Sequence, residues 1–276
     1  VDGLESSWGG ARLCSRAVVH WRVRVWDAVG RPSDWSAPAH FTVGLLEPGD
    51  WTGAWIGAST ADQPERASSP WLRTTLDLPA APRRAWVHAA SLGYHEVWIN
   101  GAKCGDAVLM PSVSDLSRRA RAVTYDVSSA LRAGENRIGL WLGAGWAAHE
   151  RYHVAAYPLV RAEIDVELAD GRIVRLVTGP EWQTRASSRT HLGAWAFGSY
   201  GGERVEAERE NSRWCSLGDD DLDWSSARAF AVDLPIVTEA CEPTRCVEEL
   251  VPVAIEERRS GVWRVDFGRA FTGFTV

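Results

Sequence analysis

Apolar residues recur at every second position along most of this chain. From 160 to 168, Val160, Ala162, Ile164, Val166 and Leu168 alternate without a break with Arg161, Glu163, Asp165 and Glu167. That period of two is the signature of a strand with one face in a core and one in water. Asp170-Gly171 and then Ile173 to Val177 follow, and the pair predicts a hairpin through a type I′ turn. A second hairpin is predicted at Asn100-Gly101, between Tyr94–Ile99 and 104–110. Trp21 to Trp26 predicts another half-buried strand, with Trp21, Val23 and Val25 alternating with arginines. The same alternation runs through Val123, Tyr125 and Val127, through Ile138, Leu140 and Leu142, and through a last hairpin around Ser260-Gly261. Only Ser128 to Arg132, ahead of Gly134, reads as a helical turn. The pattern predicts an all-β chain of sandwich type.

Two breaks divide it. Leu46-Glu47-Pro48-Gly49-Asp50 has linker chemistry, and a second break falls at Leu234-Pro235. The expected units are residues 1–46, a linker 47–54, a sandwich 55–233 and a further β-unit 234–276. Only the third is long enough for a complete sandwich. The chain opens on Val1 and closes in Phe274-Thr275-Val276, within a run that reads as a strand, so it is expected to be part of a longer polypeptide.

Composition adds limits. At 45% hydrophobic and 24% charged residues, the 276-residue chain is globular and of about two-domain size. No apolar run approaches the ~18 residues of a membrane-spanning helix. Sixteen Trp outnumber the five Tyr and six Phe together, a surplus that suits sheets and carbohydrate-facing surfaces. The net charge of −6 and the lack of a long basic block argue against nucleic acid. The one basic clump, Arg118, Arg119 and Arg121, reads as a solvated strand edge. Five scattered cysteines make neither a disulfide framework nor a zinc pattern. Free thiols in a reducing compartment are expected, with a cytoplasmic location favoured over secretion.

A catalytic apparatus is not visible. There is no nucleophile elbow, zinc-binding His-Glu-x-x-His, phosphate loop or dinucleotide fingerprint. His149 and His153 stand four apart in what reads as a polar loop, where that spacing does not make a metal site. Glu203, Glu206, Glu208 and Glu210 supply carboxylates of the kind a glycosidase needs, yet spacing alone does not set two of them across a cleft. A solvated acidic strand is the plainer reading. Asp219-Asp220-Asp221-Leu222-Asp223 lacks the spacing of a calcium loop and reads as solvated too.

The strand–turn–strand of Tyr94 to Gly105, then Tyr125-Asp126-Val127 and Gly134-Glu135-Asn136, resembles the jelly-roll modules that accompany many glycoside hydrolases. The fuller set resembles the bacterial α-L-rhamnosidases, glycoside hydrolase family 78. His20 to Asp27 with Gly30, Ser33, Trp35 and Ser36 is similar to the end of their fibronectin-type-III-like front domain, and Trp51 to Ile56 to the linker after it. Leu92-Gly93-Tyr94, Asn100-Gly101, Gly143-Ala144-Gly145-Trp146, Gly202-Glu203 and Trp224 resemble their N-terminal β-sandwich. Asp266-Phe267-Gly268 and Gly273 resemble the start of the next sandwich. The order is collinear over nearly the whole chain. Departures mark a divergent member: Ala147 stands where the family has Tyr, Val205, Glu206 and Glu208 replace the Tyr, Asp and Arg of its acidic motif, and Arg269-Ala270 replaces its Gln-Asn.

The resemblance implies a jelly-roll-like β-sandwich flanked by partial β-domains. It also implies a parent enzyme that removes terminal α-L-rhamnose with inversion, using two carboxylates in a helical barrel that this sequence does not contain. No catalytic residue is named here. The expected partners are rhamnose-containing carbohydrate and the enzyme's own catalytic domain, with neither nucleic acid nor membrane. Some relatives hold rhamnose with calcium in this domain, so Asp115, Asn136 and Trp146 become the candidate sugar-binding residues. No cofactor is assigned, and calcium is left open. Against the sugar reading stand a core role for Trp146 and a turn role for Asp115. A free-standing carbohydrate-binding module and a structural spacer are the alternative functions.

Overall fold

The computed structural model describes residues 8–63, 68–193, 195–198, 201–218 and 223–273. The final Phe274-Thr275-Val276 and Asp219 to Leu222 lie outside them. Among the described residues the strands in chain order are β1 (Val18–Trp21), β2 (Ala39–Thr42), β3 (Trp55–Gly57), β4 (Ser68–Leu78), β5 (Pro82–Leu92), β6 (Tyr94–Ile99), β7 (Ala102–Lys103), β8 (Ala120–Asp126) and β9 (Gly134–Gly143). They continue as β10 (Leu159–Leu168), β11 (Ile173–Val177), β12 (Gln183–Leu192), β13 (Gly202–Val205), β14 (Ser225–Ser226), β15 (Arg228–Phe230), β16 (Ile236–Thr238), β17 (Ala254–Arg259) and β18 (Val262–Asp266).

Two seven-stranded sheets form the body. One runs β15-β3-β10-β5-β8-β16 with β11 also on β10; the other runs β13-β12-β4-β9-β6-β7 with β14 on β12. Alternate residues of the central strands point into a shared core, with Ile56, Val87 and Ile164 from the first sheet meeting Leu72, Val97, Ile138 and Leu140 from the second. This is the expected all-β sandwich. Each such side chain contributes about 1.5–3 kcal/mol by leaving water. Small two-stranded sheets, β1-β2 and β17-β18, stand before and after it. β16, from the stretch beyond residue 233, pairs in parallel with β8.

Leu92-Gly93-Tyr94 turns the chain from one sheet into the other. Gly93 has φ of +111°, and a Cβ there would run into the Gly143 carbonyl oxygen, so both conformation and space demand glycine. Asn100 and Gly101, with φ of 51° and 87°, make the expected two-residue turn, and Ile99 pairs with Ala102. Its second arm is shorter than the pattern implies, because positive φ at Gly105 and Leu109 ends the ladder after Lys103. At Asp170-Gly171 the turn type differs from the expectation. Only Gly171 has positive φ, and its amide donates to the Leu168 carbonyl at 3.0 Å, so this is a three-residue loop with glycine in the left-handed position.

Two strands depart further. The ladder of β1 stops at Trp21, and Val23 and Val25 are exposed. Beyond Trp21 the Ser36 and Ser33 hydroxyls accept from the Val23 and Val25 amides, taking over from strand carbonyls. In β10 the charged face is buried as well as the apolar one. Glu163 has no exposed surface; it accepts from the Thr52 and Gly53 amides, while Asp165 accepts from Arg16 Nε and Arg175 Nε, each at 2.6 Å. Paired and hydrogen-bonded carboxylates are what makes such burial tolerable. They fasten the segment from Ser15 to Gly53 across the outside of the sheet.

The tryptophan surplus goes largely into structure. Trp51, Trp55, Trp71, Trp182 and Trp214 are buried. On the outer face of the second sheet Trp71 stacks on Trp214 with centroids 5.5 Å apart, and Arg73 lies 3.8 Å from the Trp224 ring.

Candidate functional site

One end of the sandwich collects aromatic rings at the surface. β9 ends in Gly143-Ala144-Gly145-Trp146, and a short 3-10 turn, 145–148, lifts Trp146 clear of the sheet. The glycines serve the neighbouring ring: a Cβ on Gly145 would lie 2.7 Å from Tyr94. Tyr94 therefore packs under the turn, and burial pushes its phenol pKa up. Trp146 remains half-buried. Trp195 lies 5.0 Å from it and His149 stacks at 5.5 Å, with Tyr152 edge-on to His149 at 6.1 Å. Two backbone links fix this arrangement: a bridge between His149 and Trp195, and the Glu150 amide on the Trp195 carbonyl at 3.1 Å. Phe197, two residues on, is 92% exposed.

Ser114, Leu116 and Trp146 share the lining of a crevice of about 10 Å³. That is room for about one water. A sugar would rest on the outer ring surface, not inside. Asp115 stands exposed on the loop beside it. Its carboxylate accepts from the Ser117 amide at 3.1 Å and the Ser117 hydroxyl at 2.5 Å, which with Arg118 and Arg151 nearby holds it below the usual carboxylate range. Asp115 thus forms a turn and keeps an oxygen face toward solvent. Trp146 and the Asp115 loop meet at one end.

Asn136 is elsewhere. It is fully buried near the start of β9, seven residues before Gly143. Its oxygen accepts from the Arg132 amide and Asn100 Nδ2, each at 3.0 Å, and its nitrogen donates to the carbonyls of Arg132 and Gly134. That burial keeps it out of reach of a sugar on the rings. Trp195 was not singled out by sequence reasoning, and His149 was weighed there only as half of a metal pair with His153. The loop 193–198, with Trp195 and Phe197 two apart between glycines, was the available signal.

The carboxylate runs make internal pairs. Glu203 meets Arg189 and Glu206 meets Arg209, each at 3.1 Å, and Glu210 accepts from the Ser188 hydroxyl. A calcium ion, which favours 6–8 oxygen ligands, does not fit the Asp115 loop. It offers one carboxylate, already engaged by Ser117 and flanked by arginines. Among the described residues no group of three or more His, Cys, Asp or Glu side chains could hold a metal.

The family model for the α-L-rhamnosidase N-terminal domain matches residues 80–248, and a model for a Rha78A-like N-terminal immunoglobulin domain matches residues 2–47. The chain belongs to the α-L-rhamnosidase N-terminal domain family. An α-L-rhamnosidase of Formosa agariphila is 28% identical over 96% of this chain and 31% of its own length. One from Streptomyces avermitilis is 32% identical over 69% of this chain and 19% of its own. The solved α-L-rhamnosidase of Dictyoglumus thermophilum superposes with a TM-score of 0.82 at 27% identity, covering 95% of this chain and 30% of that one. The chain thus spans about a third or less of the length of these three relatives. At its front the match is to an immunoglobulin domain where a fibronectin-type-III-like one was expected; the two share the sandwich architecture.

Proposed function

We propose that this chain is the non-catalytic front of an α-L-rhamnosidase-type glycoside hydrolase, built as the units 1–46, 47–54, 55–233 and 234–276. In this reading the parent enzyme removes terminal α-L-rhamnose by inverting hydrolysis, with its carboxylate pair in a catalytic domain outside these residues. The chain's share of the work is to hold carbohydrate through the ring shelf at Trp146. The observation that carries this is a half-exposed Trp146 braced by Trp195 and His149 on a family-matched sandwich. Rings fixed from behind offer the apolar face of a pyranose a stacking surface, and Asp115 supplies an acceptor for its hydroxyls.

Calorimetric titration with L-rhamnose tests it. The expected result is weak binding near millimolar, about −4 kcal/mol, abolished in Trp146→Ala while the circular dichroism spectrum stays unchanged. Titrations without heat for the unaltered chain, or a Trp146→Ala variant that unfolds, would make Trp146 a structural ring alone.

A further inference from the structure

A second concavity lies away from the Trp146 shelf, where β2, β8 and β16 come together. Its volume is about 370 Å³, and its lining includes Thr42, Asp106, Met110, Thr124, Thr238 and Glu239. That is within the ~300–1,000 Å³ of ordinary small-molecule sites, which favour the seams between structural units. Four segments distant in sequence build this one, the fourth being the 105–110 loop.

Its chemistry has two sides. Thr124 and Thr238 converge over Gly44: a Cβ there would sit 3.2 Å from one hydroxyl and 3.8 Å from the other, and glycine leaves that space open. Among the described residues the hydroxyls of Thr42 and Thr238 make no hydrogen bond within the protein, so both remain available to donate and accept. The carboxylates are acceptors whose charge is offset by a paired arginine. Both Asp106 oxygens receive Arg245 Nε at 3.0 Å, and Glu239 receives Arg121 at 2.7 Å and the Ser112 amide at 2.7 Å. Each charge has its arginine, so neither a cation nor an anion gains much here. The other side is apolar, with Met110, Val123 and Pro243.

We infer that this cleft binds one neutral sugar unit, its hydroxyls toward the threonines and its apolar face toward Met110. The inference stands on the cleft and not on the Trp146 shelf, so either site can fail alone.

Met110 is the single methionine of the chain, so a methyl-labelled methionine gives one resonance inside the cleft. L-rhamnose, D-galactose and D-glucose are titrated separately against the whole chain, with glycerol as a control. The expected result is a saturating shift of the Met110 methyl signal for at least one sugar, with half-saturation at about 1–10 mM. Thr42→Val with Thr238→Val keeps the side-chain shape and removes the free hydroxyls, and is expected to weaken that binding ~10-fold. Trp146→Ala leaves it unchanged. The inference is overturned if no sugar gives a saturating shift, if glycerol reproduces it, or if the threonine variant binds as well as the unaltered chain. A shift that vanishes in Trp146→Ala also overturns it, since the signal would then report the shelf.

Discussion

Asn136→Ala loses about 3–4 kcal/mol of folding free energy, measured by urea unfolding, and its defect is structural before it is functional. The Asn136 side chain closes a knot between the Asn100-Gly101 turn, the 130–134 turn and the first residues of β9. Arg132 both donates to it and accepts from it, at 3.0 and 2.8 Å, and Asn100 in turn holds the Ala130 carbonyl at 3.0 Å. Removing the amide strands several buried backbone groups at about 1–3 kcal/mol each. Asn136→Asp keeps the acceptor but loses the donor, and is expected to be intermediate. An Asn136→Ala protein with an unchanged midpoint would show that water replaces the amide and that the knot carries no stability.

Stability is also lost steeply as pH falls from about 6.5 to 4. Two buried histidines are responsible. Burial pulls His88 down to about 4, against a smaller opposing pull from Asp165, and burial pulls His95 down to about 4. His88 Nδ1 is bonded to Thr124 at 2.9 Å, while Nε2 has no hydrogen-bond partner and lies 3.7 Å from Asp165. His95 sits between the Ser91 hydroxyl at 2.8 Å and the Tyr125 hydroxyl at 3.1 Å. Between pH 6.5 and 4 the unfolded chain takes up protons that the folded chain refuses, so folding weakens throughout that window. The ceiling is about 3 kcal/mol for each ring. Glu239 extends the loss at the acid end. Its pKa is held near about 2 despite burial, by the amides of Cys241 and Ser112 and by Arg121, so the stability it supplies above its ordinary value disappears as pH falls from 4.5 to 2. Urea unfolding at a series of pH values checks this, with His88→Asn and His95→Gln each flattening the slope. A level profile from pH 7 to 4 would mean the two rings protonate freely in place.

What the sequence made legible were features set by neighbouring residues. The alternation of 160–168 and the Asn100-Gly101 pair produced β10 and a two-residue turn because side-chain period and positive φ are local properties. What stayed hidden depends on contacts across the chain. The acidic face of β10 reads as solvent-facing, and it is covered by distant residues: Arg16, 149 positions from Asp165, and the Thr52 and Gly53 amides on Glu163. Trp21 to Trp26 has strand periodicity, yet beyond Trp21 serine hydroxyls take the Val23 and Val25 amides and only their carbonyls keep backbone partners. The tryptophan surplus suggested sugar-facing surface, and five of those rings are buried. For the proposed shelf, the Gly143–Trp146 motif pointed to Trp146 and the loop after Pro111 to Asp115. Trp195, 49 positions beyond Trp146, reaches the shelf through the β-bridge to His149, which no local pattern shows. The cleft between β2, β8 and β16 was out of reach for the same reason.

The central claim is that these residues handle carbohydrate without cleaving it. Incubating the chain with nitrophenyl α-L-rhamnoside and following nitrophenolate release tests that directly. The account predicts release at the rate of buffer alone, since Glu203 and Glu206 are each tied to an arginine and, among the described residues, no opposed carboxylate pair is part of the shelf. Turnover above background that disappears in Glu203→Gln or Glu206→Gln would contradict it and make the acidic strand an active site.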